Sequence, residues 1–118
     1  MTRSALATLG ALILTAGCAT APSTTESKDR AECKEYARTF EHSGRMKDAC
    51  LISRGYTVSY STNGGDVSVT ARAEPRPAAE TVATDLKACN DQSGLGYAGR
   101  LQFARCMTPR GYAVRSGD

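Results

Sequence analysis

Apolar residues follow a helical period in two pairs of stretches and alternate with polar ones in two short runs between them. From Lys28 onward, Cys33, Tyr36, Ala37 and Phe40 recur at i, i+3, i+4 and i+7, the single stripe of an amphipathic helix. Ser27 suits its N-cap, and Asp29 and Glu32 suit a first turn at the positive dipole end. His42-Ser43-Gly44 interrupts the period. Arg45 to Arg54 resumes it with Met46, Ala49 and Cys50 inward, and Gly55 follows as a residue able to take positive φ after the helix. Tyr56-Thr57-Val58-Ser59-Tyr60 and Asp66-Val67-Ser68-Val69-Thr70 then alternate around Ser61-Thr62-Asn63-Gly64-Gly65. That arrangement predicts a β-hairpin, with Tyr56, Val58 and Tyr60 on one face opposed by Val67 and Val69. Ala73 to Ala78, with Pro75 and Pro77, breaks regular structure. Glu80 to Asn90 carries a stripe of Val82, Leu86 and Cys89, and Ser93 to Gly99 reads as a glycine-rich loop. Arg100 to Thr108 is the return helix, which Pro109 should tighten or end because it has no amide proton to donate to the Arg105 carbonyl. Tyr112 to Arg115 matches the start of the first strand and is a candidate third strand.

The two helical pairs are copies of one frame. Cys33 and Cys50-Leu-Ile-Ser-Arg-Gly-Tyr56 recur 56 residues later as Cys89 and Cys106-Met-Thr-Pro-Arg-Gly-Tyr112, and the same offset superposes Asp29 on Asp85 and Val58 on Val114. Cys33, Cys50, Cys89 and Cys106 allow three connectivities. Pairing within each repeat is favoured because the midpoint of each pair falls at a turn, where antiparallel helices bring the two sulfurs level; pairing between repeats is the alternative. A bridge within a repeat is worth about 3 kcal/mol in the chain-entropy model, which matters for a unit too small to be held by apolar burial alone. The expected fold is α+β: two disulfide-stapled αα-hairpins and a short antiparallel β-hairpin. They occupy a small domain (28–118) whose repeats, 28–60 and 84–116, are joined by a β-strand and the proline-rich linker.

The amino-terminal segment has its own pattern. Met1-Thr2-Arg3 is a short positive start, Ser4 to Thr15 is apolar, and Ala16, Gly17 and Cys18 follow. The run falls short of the roughly 20 apolar residues of a membrane span and has the flanks of a secretory signal. Leu14-Thr15-Ala16-Gly17-Cys18 resembles the lipobox of bacterial lipoproteins, and Cys18-Ala19-Thr20 is a common beginning for their mature chains. The resemblance implies a signal peptide (1–17), cleavage after Gly17 and acylation of Cys18; an ordinary signal peptide cut after Ala19 or Ala21 is the alternative. Because position 19 is not Asp, the resemblance also implies the outer membrane. Residues 18–27 then read as the lipidated cysteine and a flexible tether of Thr, Ser, Ala and Pro. The Cys-x-x-x-basic-Gly-aromatic exit is similar to that of small uncharacterised envelope lipoproteins, a likeness that implies no activity.

Composition narrows the chemistry. Without Arg3, fourteen Lys and Arg stand against twelve acids, with the signs mixed rather than gathered into the basic face of a nucleic-acid binder. There is no Trp, and two Phe and five Tyr make no large aromatic platform. The cysteines lack a Cys-x-x-Cys pair, which argues against a zinc knuckle or a thioredoxin-like centre. His42, the single histidine, sits beside Ser43 in a turn, whereas triad members converge from separate elements. Gly94-Leu95-Gly96-Tyr97-Ala98-Gly99 lies between helices, the wrong context for a dinucleotide fingerprint. No catalytic residue, metal or cofactor is expected.

The candidate binding residues are Arg54, Tyr56, Arg110 and Tyr112, two equivalent patches suited to an anionic or carbohydrate component. A structural account covers the same residues: Arg suits a helix C-terminus, Gly reverses the chain, and Tyr folds back beside the disulfide. The expected protein is an outer-membrane-anchored lipoprotein at the periplasmic face, non-catalytic, with a structural or protein-interaction role. Its partners would be the membrane, through the lipid anchor, and an envelope protein, with no nucleic acid. The competing reading is a periplasmic or surface module that binds an envelope glycan or anionic component through an exposed Tyr60 and its neighbours.

Overall fold

Turn chemistry and cysteine spacing together decide how the helices return on themselves. The computed structural model describes residues 24–72 and 74–116. The first helical hairpin is α1 (Thr24–Ala37) and α2 (Ser43–Ser53); β1 (Val58–Thr62) and β2 (Gly65–Ala71) follow. The second hairpin is α3 (Ala79–Asp91) and α4 (Gly96–Met107), after which a 3-10 turn (Thr108–Arg110) leads into β3 (Tyr112–Ser116). The fold is α+β. Cys33 pairs with Cys50 and Cys89 with Cys106, each with Cα atoms 5.5 Å apart, so each bridge staples one helical hairpin as the spacing predicted.

All three strands form one antiparallel sheet in the order β1-β2-β3. Val58 and Val114, equivalent in the repeat, lie on opposite sides of the same residue, Val69. The two copies therefore deliver their exit strands to matching register positions on β2. Val58, Tyr60, Val67, Val69, Ala71 and Tyr112 are buried, whereas Ser59, Ser61, Asp66 and Arg115 are exposed. This is the alternation of a sheet with one face on the core and one in water. Ile52, Val82, Leu86, Phe103 and Met107 complete the core from the helices.

Several boundaries differ from those expected. Residues 1–23, with the predicted signal peptide and Cys18, lie outside the described residues. The predicted tether ends earlier than position 27, because α1 begins at Thr24. Glu26 and Arg30 hydrogen-bond across one turn at 2.8 Å, and Lys28 and Glu32 pair at the same spacing, so these side chains support the helix from within. Ser27 is consequently inside the helix rather than at its cap, and Asp29 lies beyond the first turn. Asp85 is likewise interior to α3, so neither aspartate is explained by the helix dipole. Ser43 and Gly44 open α2 instead of breaking the helix, with His42 at the N-cap. β1 is shifted two residues along from the predicted run, leaving Tyr56 and Thr57 before the strand. The glycine-rich loop is also shorter than predicted: Gly96 to Gly99 form the first turn of α4.

That last difference has a tertiary cause. Asn63 and Gly64, at the tip of the β-hairpin, seat against the second helical hairpin. The Asn63 amide donates to Asn90 Oδ1 at 2.8 Å, and Arg100 Nη1 donates to the Gly64 carbonyl at 2.9 Å. A Cβ on Gly64 would stand 2.6 Å from the Gly96 carbonyl oxygen, and one on Gly99 only 1.8 Å from that of Gly94. The two glycines are thus the price of bringing one turn into contact with another backbone.

Candidate functional site

The residues repeated with the cysteine frame assemble into two equivalent clamps. In the first, Arg54 follows α2 and Gly55 turns the chain at φ 98°, which aims Tyr56 back at α1. Arg54 Nη1 donates to Asp29 Oδ1 at 2.6 Å and to Glu32 Oε1 at 2.7 Å, while the Tyr56 hydroxyl donates to Asp29 Oδ2 at 2.5 Å. In the second, Gly111 turns at φ 103°. Tyr112 donates to Asp85 Oδ2 at 2.7 Å, and Arg110 Nη1 reaches Asp85 Oδ1 at 3.4 Å.

The clamps share a plan but not an environment. The Tyr56 hydroxyl, and after it Arg54, hold the Asp29 carboxyl below its ordinary value. Asp29 in turn raises the Tyr56 phenol, and the Arg54 hydrogen bond lowers Glu32. Tyr112 is wholly buried, and burial first, then its bond to Asp85, pushes its phenol far upward. Arg54 and Tyr56 therefore meet on Asp29, and Arg110 and Tyr112 on Asp85. The role of Asp29 and Asp85 was missed from sequence. The shared offset of Asp, Arg and Tyr was the signal that could have found it.

Tyr60 is not available to a ligand. It is 7 % exposed and stacks on Phe103 with ring centroids 5.9 Å apart, which removes the expected aromatic binding face of the β-hairpin. The exposed side of the sheet offers hydroxyls instead, with Thr57 and Thr70 bonded to each other at 2.6 Å and Ser61 donating to Asp66 at 2.8 Å. His42 is exposed and makes no capping bond. Among the described residues no group of three His, Cys, Asp or Glu is placed to hold a metal, and no helix is long and apolar enough to cross a membrane.

Two further surfaces carry features that periodicity did not single out. Between α1 and α2 lies a cleft of about 440 Å³ lined by Lys34, Ala37, Arg38, Ser43, Gly44 and Lys47. Arg38 is held by Glu35 at 3.0 Å, whereas the Lys34 ammonium has neither hydrogen bond nor ion pair among the described residues. On the second hairpin, Leu95 and Tyr97 are 82 % and 61 % exposed, and Leu101 follows one turn after Tyr97. Arg100 lies over the Tyr97 ring, 5.6 Å from its centroid. Glycine spacing hid this cluster in the sequence, because the stretch reads as a loop until Gly99 is seen packed against Gly64.

Comparison with protein-family models, with curated proteins and with solved structures finds no match to this chain.

Proposed function

We propose that this chain is an outer-membrane-anchored lipoprotein with a non-catalytic, structural or protein-interaction role in the cell envelope. The observation that carries the reading is how the repeated polar residues are used. Each copy commits its Asp, Arg and Tyr to a clamp beside a disulfide, so the chemistry written twice into the chain goes into holding the fold. Two bridged hairpins fit an oxidising compartment, and the lipobox-like segment ending at Cys18 supplies both the route out and the anchor. Several acyl chains at about 0.8 kcal/mol per buried methylene make such an anchor stable.

One observation favours a second reading, a module for an anionic envelope component. The cleft of Lys34, Arg38 and Lys47 gathers cations from two helices, and it replaces the buried Tyr60 face as the place where such a ligand would sit.

The test is an intact mass of the membrane-extracted mature chain, with and without reduction. An acylated chain beginning at Cys18, with Cys33, Cys50, Cys89 and Cys106 oxidised, is the expected result. An unprocessed chain with free thiols overturns the proposal. Mild crosslinking followed by purification then separates the two readings: discrete envelope proteins support the first, retained glycan without them the second.

A further inference from the structure

We propose that the outer face of α4 is a second membrane contact, which seats the domain on an anionic phospholipid surface and fixes its orientation there. The inference rests on the lipid-anchor reading and names what the anchored domain touches first.

The face is built from neighbouring apolar and cationic groups. Leu95, at the N-cap of α4, is 82 % exposed, Tyr97 is 61 % exposed and Leu101 is 37 % exposed. Tyr97, Leu101 and Arg105 recur every fourth residue along one side of the helix, so they form a continuous strip. Single exposed leucines need no explanation, but an apolar cluster bordered by charge marks a contact surface. Arg105 is exposed and has no ion pair among the described residues. Residues 92–116 contain four arginines and no Asp or Glu; Arg110 pairs with Asp85 of α3, while Arg100, Arg105 and Arg115 have no ion pair among the described residues. No carboxylate within this segment therefore opposes an approaching phosphate, while Leu and Tyr suit the boundary between headgroups and acyl chains.

Tether length selects a lipid surface over other occupants. Six residues, 18–23, separate an acylated Cys18 from the start of α1 at Thr24 when Cys18 itself is counted. Fully extended, they span about 20 Å, less than the thickness of a small domain. The domain is thus kept within about 20 Å of the bilayer. The exposed apolar and cationic strip gains by meeting it, through apolar burial and attraction between arginine and anionic headgroups.

The chain has no tryptophan, so Tyr97→Trp introduces a single reporter. The acylated mature protein with this substitution is placed in vesicles of phosphatidylethanolamine and phosphatidylglycerol. The expected result is blue-shifted emission, quenched by brominated acyl chains. The same reporter in a Cys18→Ser chain reads the face without the anchor. It should bind phosphatidylglycerol vesicles and not phosphatidylcholine ones, and adding Leu101→Asp with Arg105→Glu should weaken that binding about tenfold or more. Exposed, unquenched emission from protein that floats with the vesicles overturns the proposal and leaves the anchor intact. Failure of the anchor reading looks different: the wild-type chain carries no acyl group. Burial of the reporter only when another envelope protein is added, or only on self-association, makes the face a protein interface and also overturns the proposal.

Discussion

The Tyr112 hydroxyl donates to Asp85 Oδ2 at 2.7 Å from a ring with no exposed surface. The equivalent bond from Tyr56 to Asp29 is made by a side chain that is only partly buried. One copy of the clamp therefore belongs to the core and the other to its edge.

That asymmetry predicts unequal costs for the same change. Tyr112→Phe leaves one Asp85 oxygen without its donor and should cost about 1–3 kcal/mol, the penalty for an unsatisfied, partly buried acceptor. Tyr56→Phe should cost less, because water can replace the phenol. Tyr112→Ala, which also opens a cavity, should cost about 3–5 kcal/mol. Urea denaturation of the three variants checks the order, and equal costs for the two Phe variants would refute it.

Acid should act through the first clamp. Asp29 is held below its ordinary value of 3.8 by the Tyr56 hydrogen bond and by Arg54, and Glu32 below 4.5 by Arg54. A carboxylate with a depressed folded-state pKa adds stability that is complete above the unfolded value and is lost as pH falls through the folded one. Stability should therefore decline below about pH 4.5, and Asp29→Asn should flatten part of that decline. Thermal melts between pH 6 and pH 2 on both proteins read this directly.

At the alkaline end the sign reverses. Tyr36, Tyr56 and Tyr112 all have phenols raised above 10.0. A raised phenol contributes stability that is present below the unfolded value and lost as pH rises from there through the folded value. Phenolate absorbance should thus show part of the tyrosine signal appearing late, together with unfolding. Tyr112→Phe should remove part of that late component.

Removing either disulfide by paired Cys→Ala substitution should cost about 3 kcal/mol, since both bridges have the same sequence separation of 17. Melting temperatures with and without reductant, for the parent and both variants, test whether the two staples contribute equally.

The glycines should divide sharply. Gly99→Ala drives a Cβ onto the Gly94 carbonyl, and Gly64→Ala one onto the Gly96 carbonyl and Arg100 amide; overpacking of this kind costs about 1–3 kcal/mol or more. Gly44 has open space around it, so Gly44→Ala should be neutral or stabilise α2 by up to about 1 kcal/mol. Differential scanning calorimetry on the three variants separates the two classes.

Much of this was legible because it is local. Helical stripes, the Asn-Gly turn, the repeated cysteine spacing and the paired Arg-Gly-Tyr exits each depend on residues near one another in the chain, and they define two helical hairpins flanking a β-hairpin. The position of Tyr60 was misread for the opposite reason. Its alternation places it on the Val58 face, but whether that face meets water depends on Phe103, far along the chain, against which it stacks. Asp29 was misread similarly, since a dipole argument sees only the helix it sits in.

By itself the sequence determined the unit and its duplication: periodicity sets the helices, and equal spacing makes each pair of sulfurs meet across its own turn. Only the tertiary structure decided what the two copies do to one another. The sheet brings Val58 and Val114 to the same central Val69, and the hairpin tip lies against α4 because two glycines let backbones touch. Those contacts join residues far apart in the chain, and their energy depends on distances in space that no local pattern encodes.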